Sequence, residues 1–324
     1  MVAIIIINWN GADDTIACLE SLSRMDAHHT VIVGDNGSTD DSVRRIRQWL
    51  DENAAAPNVG GYKLVELGKN YGFAVGNNKA LAVAMQDNPD YCMLLNNDTE
   101  VEPDMLSKLL DYASANEDVK VLSPCICYHY DKNKIWFSGG KLTFGTRKNL
   151  FAEQARDSVG TVPFAINFVS GCALFFRTSL LNEKNELLSN DFFFGEEDYE
   201  FSLRMRNKSV RMSCVPASVV YHKVSSSQKK TKDTGGVGRI YMYYHNRLVC
   251  NRLYETRVKF YTICLLNSVT CLKCFRKYTG SFITAVKLLR RLIKDVRVKK
   301  GFDYDDFQAL MFEHKYFDFD VMRK

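Results

Sequence analysis

The segment YCMLLNNDTEVEP, residues 91–103, contains an apolar run that ends abruptly in two amides and a carboxylate. Such a run predicts a buried strand over Tyr91–Leu95. Unpaired polar side chains are costly when removed from water, so a strand ending of this kind needs a function. We therefore expect Asn96, Asn97 and Asp98 to hold a ligand where the strand ends.

Three earlier apolar runs predict further strands, at Val2–Asn8, Thr30–Asp35 and Tyr62–Leu67. Helical patterns lie between the strands. They end near Met25, Leu50 and Asp87, and Pro103 suits the first turn of a fourth helix. Alternation of strands and helices over about 115 residues predicts a doubly wound α/β sheet. Ligands of such sheets bind beyond the carboxyl ends of the strands.

Polar clusters occur at four of these predicted positions: Asn8-Trp9-Asn10, Asp35-Asn36-Gly37, Asn70-Tyr71-Gly72 and Asn96-Asn97-Asp98. A single cluster has an ordinary structural interpretation. DNGSTD at 35–40, for example, is typical of an Asn-Gly turn followed by a helix cap. Four clusters at one predicted sheet edge favour a ligand site.

The second half of the chain is less regular. Strands are predicted at Phe168–Phe176, Val210–Val215 and Ser218–Tyr221, a helix through Arg206, and a mobile polar loop over Lys223–Gly238. The glycines at 235–238 do not follow a strand, so we interpret them as loop and not as a dinucleotide-binding motif. Beyond Arg239 the pattern is helical, with breaks at Gly280 and Gly301.

The composition is that of a folded protein with a large core: 324 residues, 46% hydrophobic and 25% charged. Ten scattered cysteines favour a reducing, cytoplasmic location, and the spacing of Cys271 and Cys274 alone is weak evidence for zinc. Met1 is not followed by a basic region, so no secretory signal is expected. The sequence has no uninterrupted run of about 18 apolar residues, so no transmembrane helix is expected.

The net charge of +5 is unevenly distributed. Residues 239–300 carry fifteen Lys and Arg but only two acidic residues, so the remainder of the chain is acidic. This basic segment suits helices that lie on the anionic inner face of a membrane, or a helical cap with a solvated basic face. Nucleic-acid binding is a weaker third alternative, and we expect no nucleic-acid partner.

Seven motifs occur in the order of a known family: NWNG, VGDNGSTDDS, NYGFAVGNN, LLNNDTEVEP, FVSGCALFFR, FFGEEDYEFSLRMR and VVYHKVSSS. Together they resemble the inverting family 2 glycosyltransferases of GT-A fold, over residues 2 to about 250. The nearest resemblance is to rhamnosyltransferase-like bacterial enzymes that build surface polysaccharides. It implies a GT-A (Rossmann-like) catalytic domain over 1–238, with a nucleotide-binding half to about 115 and an acceptor half over 116–238. A basic, mainly helical extension over 239–324 would follow.

The resemblance also implies roles for individual residues. Asp35 would recognise the nucleotide base, and Asp98 would hold a manganese or magnesium ion that His222 helps to bind. Asp198 would be the catalytic base, with Glu197 beside it. The rest of the donor pocket would comprise Asn8, Asn10, Asn70, Gly72, Phe73, Asn78, Asn96 and Asn97. Without the other motifs, residues 196–198 would be interpreted as an acidic first helical turn, and His222 as a surface histidine.

The chemistry of glycosyl transfer agrees with these roles. A carboxylate takes the proton of the acceptor hydroxyl, and a divalent cation stabilises the leaving diphosphate. Asn96 stands where the commoner family pattern has Asp, and an amide brings no charge. The cation would therefore rest on Asp98, the donor phosphates and His222, so metal binding without nucleotide should be weak.

Two other functions suit an α/β nucleotide-binding sequence. A sugar nucleotidyltransferase usually has a basic, Gly-rich loop after the first strand, whereas residues 8–11 here are Asn-Trp-Asn-Gly. A sugar-nucleotide-binding protein without catalysis would be favoured only by Asn96. The leading hypothesis is transfer from dTDP-rhamnose or a UDP-hexose to a saccharide acceptor, expected to be attached to a lipid carrier.

Overall fold

The apolar runs of the sequence form one mixed sheet in a computed structural model that describes residues 1–224 and 236–311. The strands are β1 (Val2–Asn8), β2 (His29–Asp35), β3 (Val59–Glu66), β4 (Tyr91–Asn96), β5 (Thr99–Val101), β6 (Val119–Tyr128), β7 (Ile135–Phe137), β8 (Gly140–Leu142), β9 (Arg147–Asn149), β10 (Phe164–Ile166), β11 (Ala173–Arg177) and β12 (Arg211–His222). The helices are α1 (Ala12–Leu22), α2 (Ser42–Glu52), α3 (Gly72–Ala84), α4 (Met105–Ala115), α5 (Glu197–Asn207), α6 (Gly236–Tyr254), α7 (Arg257–Thr279), α8 (Phe282–Val298) and α9 (Tyr304–Met311).

The main sheet has the strand order β10-β12-β6-β11-β4-β1-β2-β3, with β5 paired to β12 and β7 paired to β6. Strand β1 pairs in parallel with both β2 and β4, which places Ile4 beside Val31 and Met93. Successive β1 side chains enter two separate cores, Ile4 on one face of the sheet and Ile5 on the other. Burial on both faces explains why β1 is a continuous apolar run. The predicted α/β sheet is confirmed.

Two predicted strands differ from the observed ones. Strand β11 begins only at Ala173, because Phe168 instead bridges to Gly140 and the Cys172 carbonyl accepts from the Asn96 N–H at 2.8 Å. The two strands predicted over 210–221 form the single strand β12. Its pairing with β6 shifts register between Val215 and Val219. This bulge accommodates Pro216, which has no N–H to donate to a neighbouring strand.

The helical C-terminal region is also confirmed as far as residue 311, beyond which the chain lies outside the described residues, but its first helix begins earlier than expected. Gly236 and Gly238 lie in α6, so their assignment to a loop is wrong. Most of the loop predicted over 223–238 lies outside the described residues. Helix α6 buries Tyr241 and Val249 in the same core cluster as Ile4 of β1. The extension therefore shares a core with the sheet, as the cap interpretation requires for this helix.

Helix α7 is long and apolar enough, by length and composition alone, to cross a bilayer. Helix α7 meets this criterion although polar residues interrupt its apolar run, so the expected absence of a transmembrane helix stays a prediction. No other helix within 1–224 and 236–311 meets it. One face of α7 is buried and the other is exposed.

Candidate functional site

The polar strand ends meet around a cavity of about 300 Å³ at the carboxyl edge of β1, β2 and β4. Seven residues predicted from the sequence line it: Asn70, Gly72, Phe73, Asn96, Asn97, Asp98 and His222. Parallel strands end at the same edge of a sheet, which is why residues far apart in sequence meet here. A larger cavity of about 590 Å³ lies beyond the Asn70–Tyr71 turn. We place the site in the smaller one because it contains the Asp98–His222 pair.

Strand pairing brings Asp98 and His222 together. Strand β12 is antiparallel to β5 and places His222 opposite Thr99, and the Lys223 N–H donates to the Asp98 carbonyl at 2.9 Å. His222 Nε2 then lies 3.1 Å from Asp98 Oδ1, with both side chains buried. Burial opposes the charge on His222, but Cys172 and Asp98 outweigh it and raise the pKa of His222 to about 10. A cation that displaced the His222 proton would gain a carboxylate and a neutral imidazole as two ligands.

The amide oxygen of Asn96 fits the same ligand site. Asn96 Oδ1 is buried at the cavity wall and has no hydrogen-bond partner among the described residues. A buried unpaired oxygen of this kind suits a hydroxyl donor or a cation. No cluster of three or more His, Cys, Asp or Glu side chains suitable for a metal occurs in residues 1–224 and 236–311. Within that part of the chain, a cation would need ligands from a bound diphosphate as well as from Asp98 and His222.

Asn8 and Asp35 lie behind the cavity wall rather than on it. The Asn8 Nδ2 donates to Asp35 Oδ1 at 2.8 Å and to Ser38 Oγ at 3.1 Å. The Ser38 hydroxyl and N–H also donate to Asp35, at 2.6 and 2.9 Å. Three hydrogen bonds thus fix the Asp35 carboxylate and leave limited acceptor capacity for a base.

A residue that sequence reasoning did not assign, Asn36, organises the next part of the wall. Its Nδ2 donates to Asn70 Oδ1 and to the Gly72 carbonyl, both at 3.1 Å, and its Oδ1 accepts from the Tyr71 N–H at 2.9 Å. These bonds hold the turn that starts α3. The signal was present in the sequence, since Asn36 stands directly after Asp35 at a strand end.

Position 72 requires glycine because the backbone of Phe193 passes close to it. Its φ is +78°, and an added Cβ would lie 2.1 Å from the Phe193 carbonyl oxygen. That carbonyl accepts from the Phe73 N–H at 3.1 Å, which joins the start of α3 to the loop before α5. Only glycine allows both the conformation and the approach.

Three other predicted residues form hydrogen bonds to neighbouring segments of the chain. Asn78 bonds to the 187–190 segment through both ends of its amide, and the structure does not bring it to the cavity. Asn10 Oδ1 accepts from the Thr39 N–H at 2.8 Å, ahead of α2. Asn97 does line the cavity, but its Nδ2 donates to Thr15 Oγ1 at 3.0 Å.

Glu197 and Asp198 begin α5, next to the cavity. Gly171 lies close both to Asp198, the candidate base, and to Phe73 on the cavity wall. A Cβ added at Gly171 would lie 3.2 Å from the Phe73 ring and 3.9 Å from Asp198 Cβ. Burial and the adjacent Asp198 raise the pKa of Glu197 to about 8. Burial raises the pKa of Asp198 too, but Arg147 and the Gly171 N–H favour its ionised form. These causes favour Glu197 as the protonated member of the pair and Asp198 as the ionised one.

A buried ion cluster, not anticipated from the sequence, holds the loop that carries this pair. Glu196 accepts from Arg147 at 2.9 Å and from Arg247 of α6 at 3.0 Å. Arg147 also approaches Asp198 Oδ1 at 4.0 Å. The two arginines lower the pKa of Glu196 against the opposing effect of burial. Asn246 of α6 adds bonds to the carbonyls of Phe194 and Gly195, at 3.1 and 3.0 Å.

The C-terminal helices also supply part of the cavity wall. Arg239 of α6 and Phe307 and Met311 of α9 line it. The Phe307 ring packs at a tilt against Phe193 and Phe194, with ring centroids 5.0 and 5.7 Å apart. Arg239 is the one lysine or arginine on this wall within the described chain. Nothing in the local sequence around Arg239 or Phe307 identifies them, because their partners are far away along the chain.

Comparison with known proteins agrees with this geometry. The model of the family described as "Glycosyl transferase family 2" matches residues 3–182. No curated protein matches the chain.

Several solved structures share the fold. The mannosyltransferase PcManGT from Pyrobaculum calidifontis, in complex with GDP-Man and Mn²⁺, is 14% identical with a TM-score of 0.55, covering 92% of this chain and 86% of its own. S. aureus TarS 1-349 is 16% identical with a TM-score of 0.55, covering 97% and 90%. GalNAc-T7 with UDP, GalNAc and Mn²⁺ is 15% identical with a TM-score of 0.55, covering 100% of this chain and 57% of its own. The predicted GT-A fold is confirmed.

Proposed function

Because the chain belongs to glycosyl transferase family 2, we propose that it is an inverting, metal-dependent transferase that moves a sugar from a nucleoside diphosphate to a saccharide hydroxyl. One observation carries this proposal. The Asp98–His222 pair lines the cavity and His222 contacts Cys172, while Asp198 lies close to the adjacent residue Gly171. Groups suited to leaving-group stabilisation and to proton removal therefore meet at one site.

Asp198 acts as the base in the proposed reaction. The acceptor hydroxyl attacks the anomeric carbon while Asp198 takes its proton, and the bond to the diphosphate oxygen breaks in the same displacement. Direct displacement inverts the anomeric centre. Arg147, at 4.0 Å, orients the Asp198 carboxylate, and protonated Glu197 leaves the charge of the pair on Asp198.

Asp98 and His222 hold the cation, with Asn96 Oδ1 available beside them. A bound Mn²⁺ or Mg²⁺ supplies positive charge to the departing diphosphate. Arg239 at the cavity wall contributes further positive charge to the same phosphates. This set has a single carboxylate, which favours joint binding of nucleotide and metal over binding of the metal alone.

The donor and acceptor belong to the proposal as well. We keep dTDP-rhamnose or a UDP-hexose as the donor, and a saccharide on a lipid carrier at the cytoplasmic face of the membrane as the acceptor. PcManGT and TarS were solved with GDP-Man and UDP-GlcNAc, so GDP-mannose and UDP-GlcNAc also belong among the donors tested.

A donor screen tests the function. Nucleotide release is measured for the full chain with each of these sugar nucleotides and Mn²⁺ or Mg²⁺. Slow hydrolysis of one donor, lost on addition of a chelator, is expected. Absence of both release and nucleotide binding for every donor would instead favour the catalytically inactive binding protein.

A further inference from the structure

Helix α7 exposes an apolar strip that the rest of the described chain leaves uncovered. The strip consists of Val258, Tyr261, Leu265, Leu266 and Val269, of which Leu265 is 70% and Leu266 58% exposed. Their spacing of three and four residues places them on one face of the helix. The opposite face is buried through Phe260, Ile263, Cys271 and Phe275. Two further apolar side chains, Phe282 and Ile283 at the start of α8, are exposed as well.

Basic residues flank this apolar strip at both ends. Arg257 precedes it, and Lys273, Arg276 and Lys277 follow it, all of them exposed. Helix α7 contains no acidic residue, and the one in α8, Asp295, is buried and accepts from the Tyr241 hydroxyl at 2.8 Å. An apolar strip within a cationic border complements a bilayer with anionic headgroups.

We propose that α7 lies in the plane of an anionic membrane surface, with the apolar strip inserted below the headgroups. Insertion removes the exposed leucine and tyrosine side chains from water, while the flanking lysines and arginines contact lipid phosphates. This inference deepens the proposed function, because a lipid-linked acceptor would be met at that surface.

An in-plane position fits the packing better than a membrane-spanning one. Two-residue connections at 255–256 and 280–281 join α7 to α6 and α8. Helices α6 and α8 also contact each other, since Arg252 of α6 donates to the Val296 carbonyl. A spanning α7 would place the charged helix α8 across the bilayer from α6 and break these contacts.

A second copy of the chain suits the apolar strip less well. A two-fold contact through the same face would bring the basic flanks of both copies together, with like charges apposed. Lipid phosphates are negatively charged and would attract the same basic residues.

Vesicle co-sedimentation of the full chain tests the proposal without any sugar nucleotide. The wild type is expected to pellet with phosphatidylcholine–phosphatidylglycerol vesicles more than with phosphatidylcholine alone, and less at high salt. The double change Leu265→Asp/Leu266→Asp is expected to weaken binding on the order of tenfold. Val162→Asp, at a residue 76% exposed outside the apolar strip, is the matched control and should bind as the wild type does.

A second variant separates charge from apolar insertion. Lys273→Glu/Arg276→Glu is expected to lower binding to the anionic vesicles on the order of tenfold, with little change for neutral ones. Thermal unfolding should be unchanged in all variants, because the altered side chains are exposed.

Three results would overturn the proposal: no wild-type binding, full binding by Leu265→Asp/Leu266→Asp, or a dimer that the same change dissociates and that ignores vesicles. Donor hydrolysis is read separately. A chain that hydrolyses donor but ignores vesicles refutes only this inference, and the reverse result refutes only the proposed function.

Discussion

Replacing Asp198 by Asn removes the proposed proton acceptor while keeping the shape of the side chain. We expect acceptor-dependent transfer to fall on the order of 10²–10⁴-fold, with donor affinity nearly unchanged. Steady-state rates with the donor identified by the screen provide the measurement, and Glu197→Gln is the paired control with a smaller loss. A larger loss in Glu197→Gln than in Asp198→Asn would transfer the role of base to Glu197.

The raised pKa of Glu197 also makes a prediction about stability. The folded state holds a proton up to a pKa of about 8, whereas the carboxyl has an ordinary value of 4.5. The resulting stabilisation is complete below pH 4.5 and is lost as pH rises to about 8, at no more than about 1.4 kcal/mol per pH unit. Urea unfolding across this range should show that Glu197→Gln lacks this decline. Parallel pH curves for the two proteins would contradict the assignment of the proton.

A comparison of Gly72 and Gly68 separates the cost of a positive φ from the cost of a clash between an added Cβ and a neighbouring backbone segment. Both have positive φ, +78° and +85°, but only at Gly72 would an added Cβ meet another group, the Phe193 carbonyl. Gly68→Ala is expected to lose about 1 kcal/mol of unfolding free energy, and Gly72→Ala clearly more, with loss of nucleotide binding. Equal losses in both variants would show that the contact with Phe193 is unimportant.

Helix α6 positions the loop before α5 through the Arg247–Glu196 pair. Arg247→Met leaves Glu196 buried with Arg147 as its remaining cationic partner, so we expect a loss of roughly 2–4 kcal/mol in unfolding free energy. The exposed pair Arg44–Asp41 provides the control, since Arg44→Met should change stability by less than about 0.5 kcal/mol. Urea unfolding of both variants decides the matter, and similar small losses would mean that the buried pair contributes little.

The elements of the first half could be predicted because each leaves a local pattern. Strand β1 is a continuous apolar run, and its turn and polar ending are visible within ten residues. The second half leaves weaker patterns. The Arg147–Glu196–Arg247 cluster joins three positions separated by 49 and 51 residues, so no local pattern reveals it. The continuity of β12 depends on a bulge opposite β6, which Pro216 concealed.

The candidate site likewise combines residues that sequence motifs predict with residues that only tertiary packing brings together. Asp98 and His222 were predicted from the family motifs, and strand register brings them together. Asn78 also belongs to a family motif, but it hydrogen-bonds to the 187–190 segment instead of lining the cavity. Arg239 and Phe307 line the cavity only because α6 and α9 pack against each other and Phe307 packs against the loop before α5. Tertiary packing decides such positions, and one sequence does not specify it.

At the scale of the whole molecule, joint binding of nucleotide and metal should stabilise the fold. A ligand at 100 times its Kd adds about 2.7 kcal/mol to the unfolding free energy. We expect the melting temperature to rise with UDP, dTDP or GDP plus Mn²⁺ and only slightly with Mn²⁺ alone, as thermal scans would show. In Asp98→Asn the added effect of Mn²⁺ should disappear. A large rise with Mn²⁺ alone would contradict the shared site.

The cavity wall runs from Ile7 in the first strand to Met311 in the last described helix. A nascent chain emerging from the ribosome thus presents every predicted catalytic residue well before the donor cavity is closed. Full donor affinity should appear only after residue 311 has been made, so a chain released earlier would carry the proposed catalytic groups without the complete pocket. Translation itself would then order the two events, with the catalytic residues made first and sugar-nucleotide capture last.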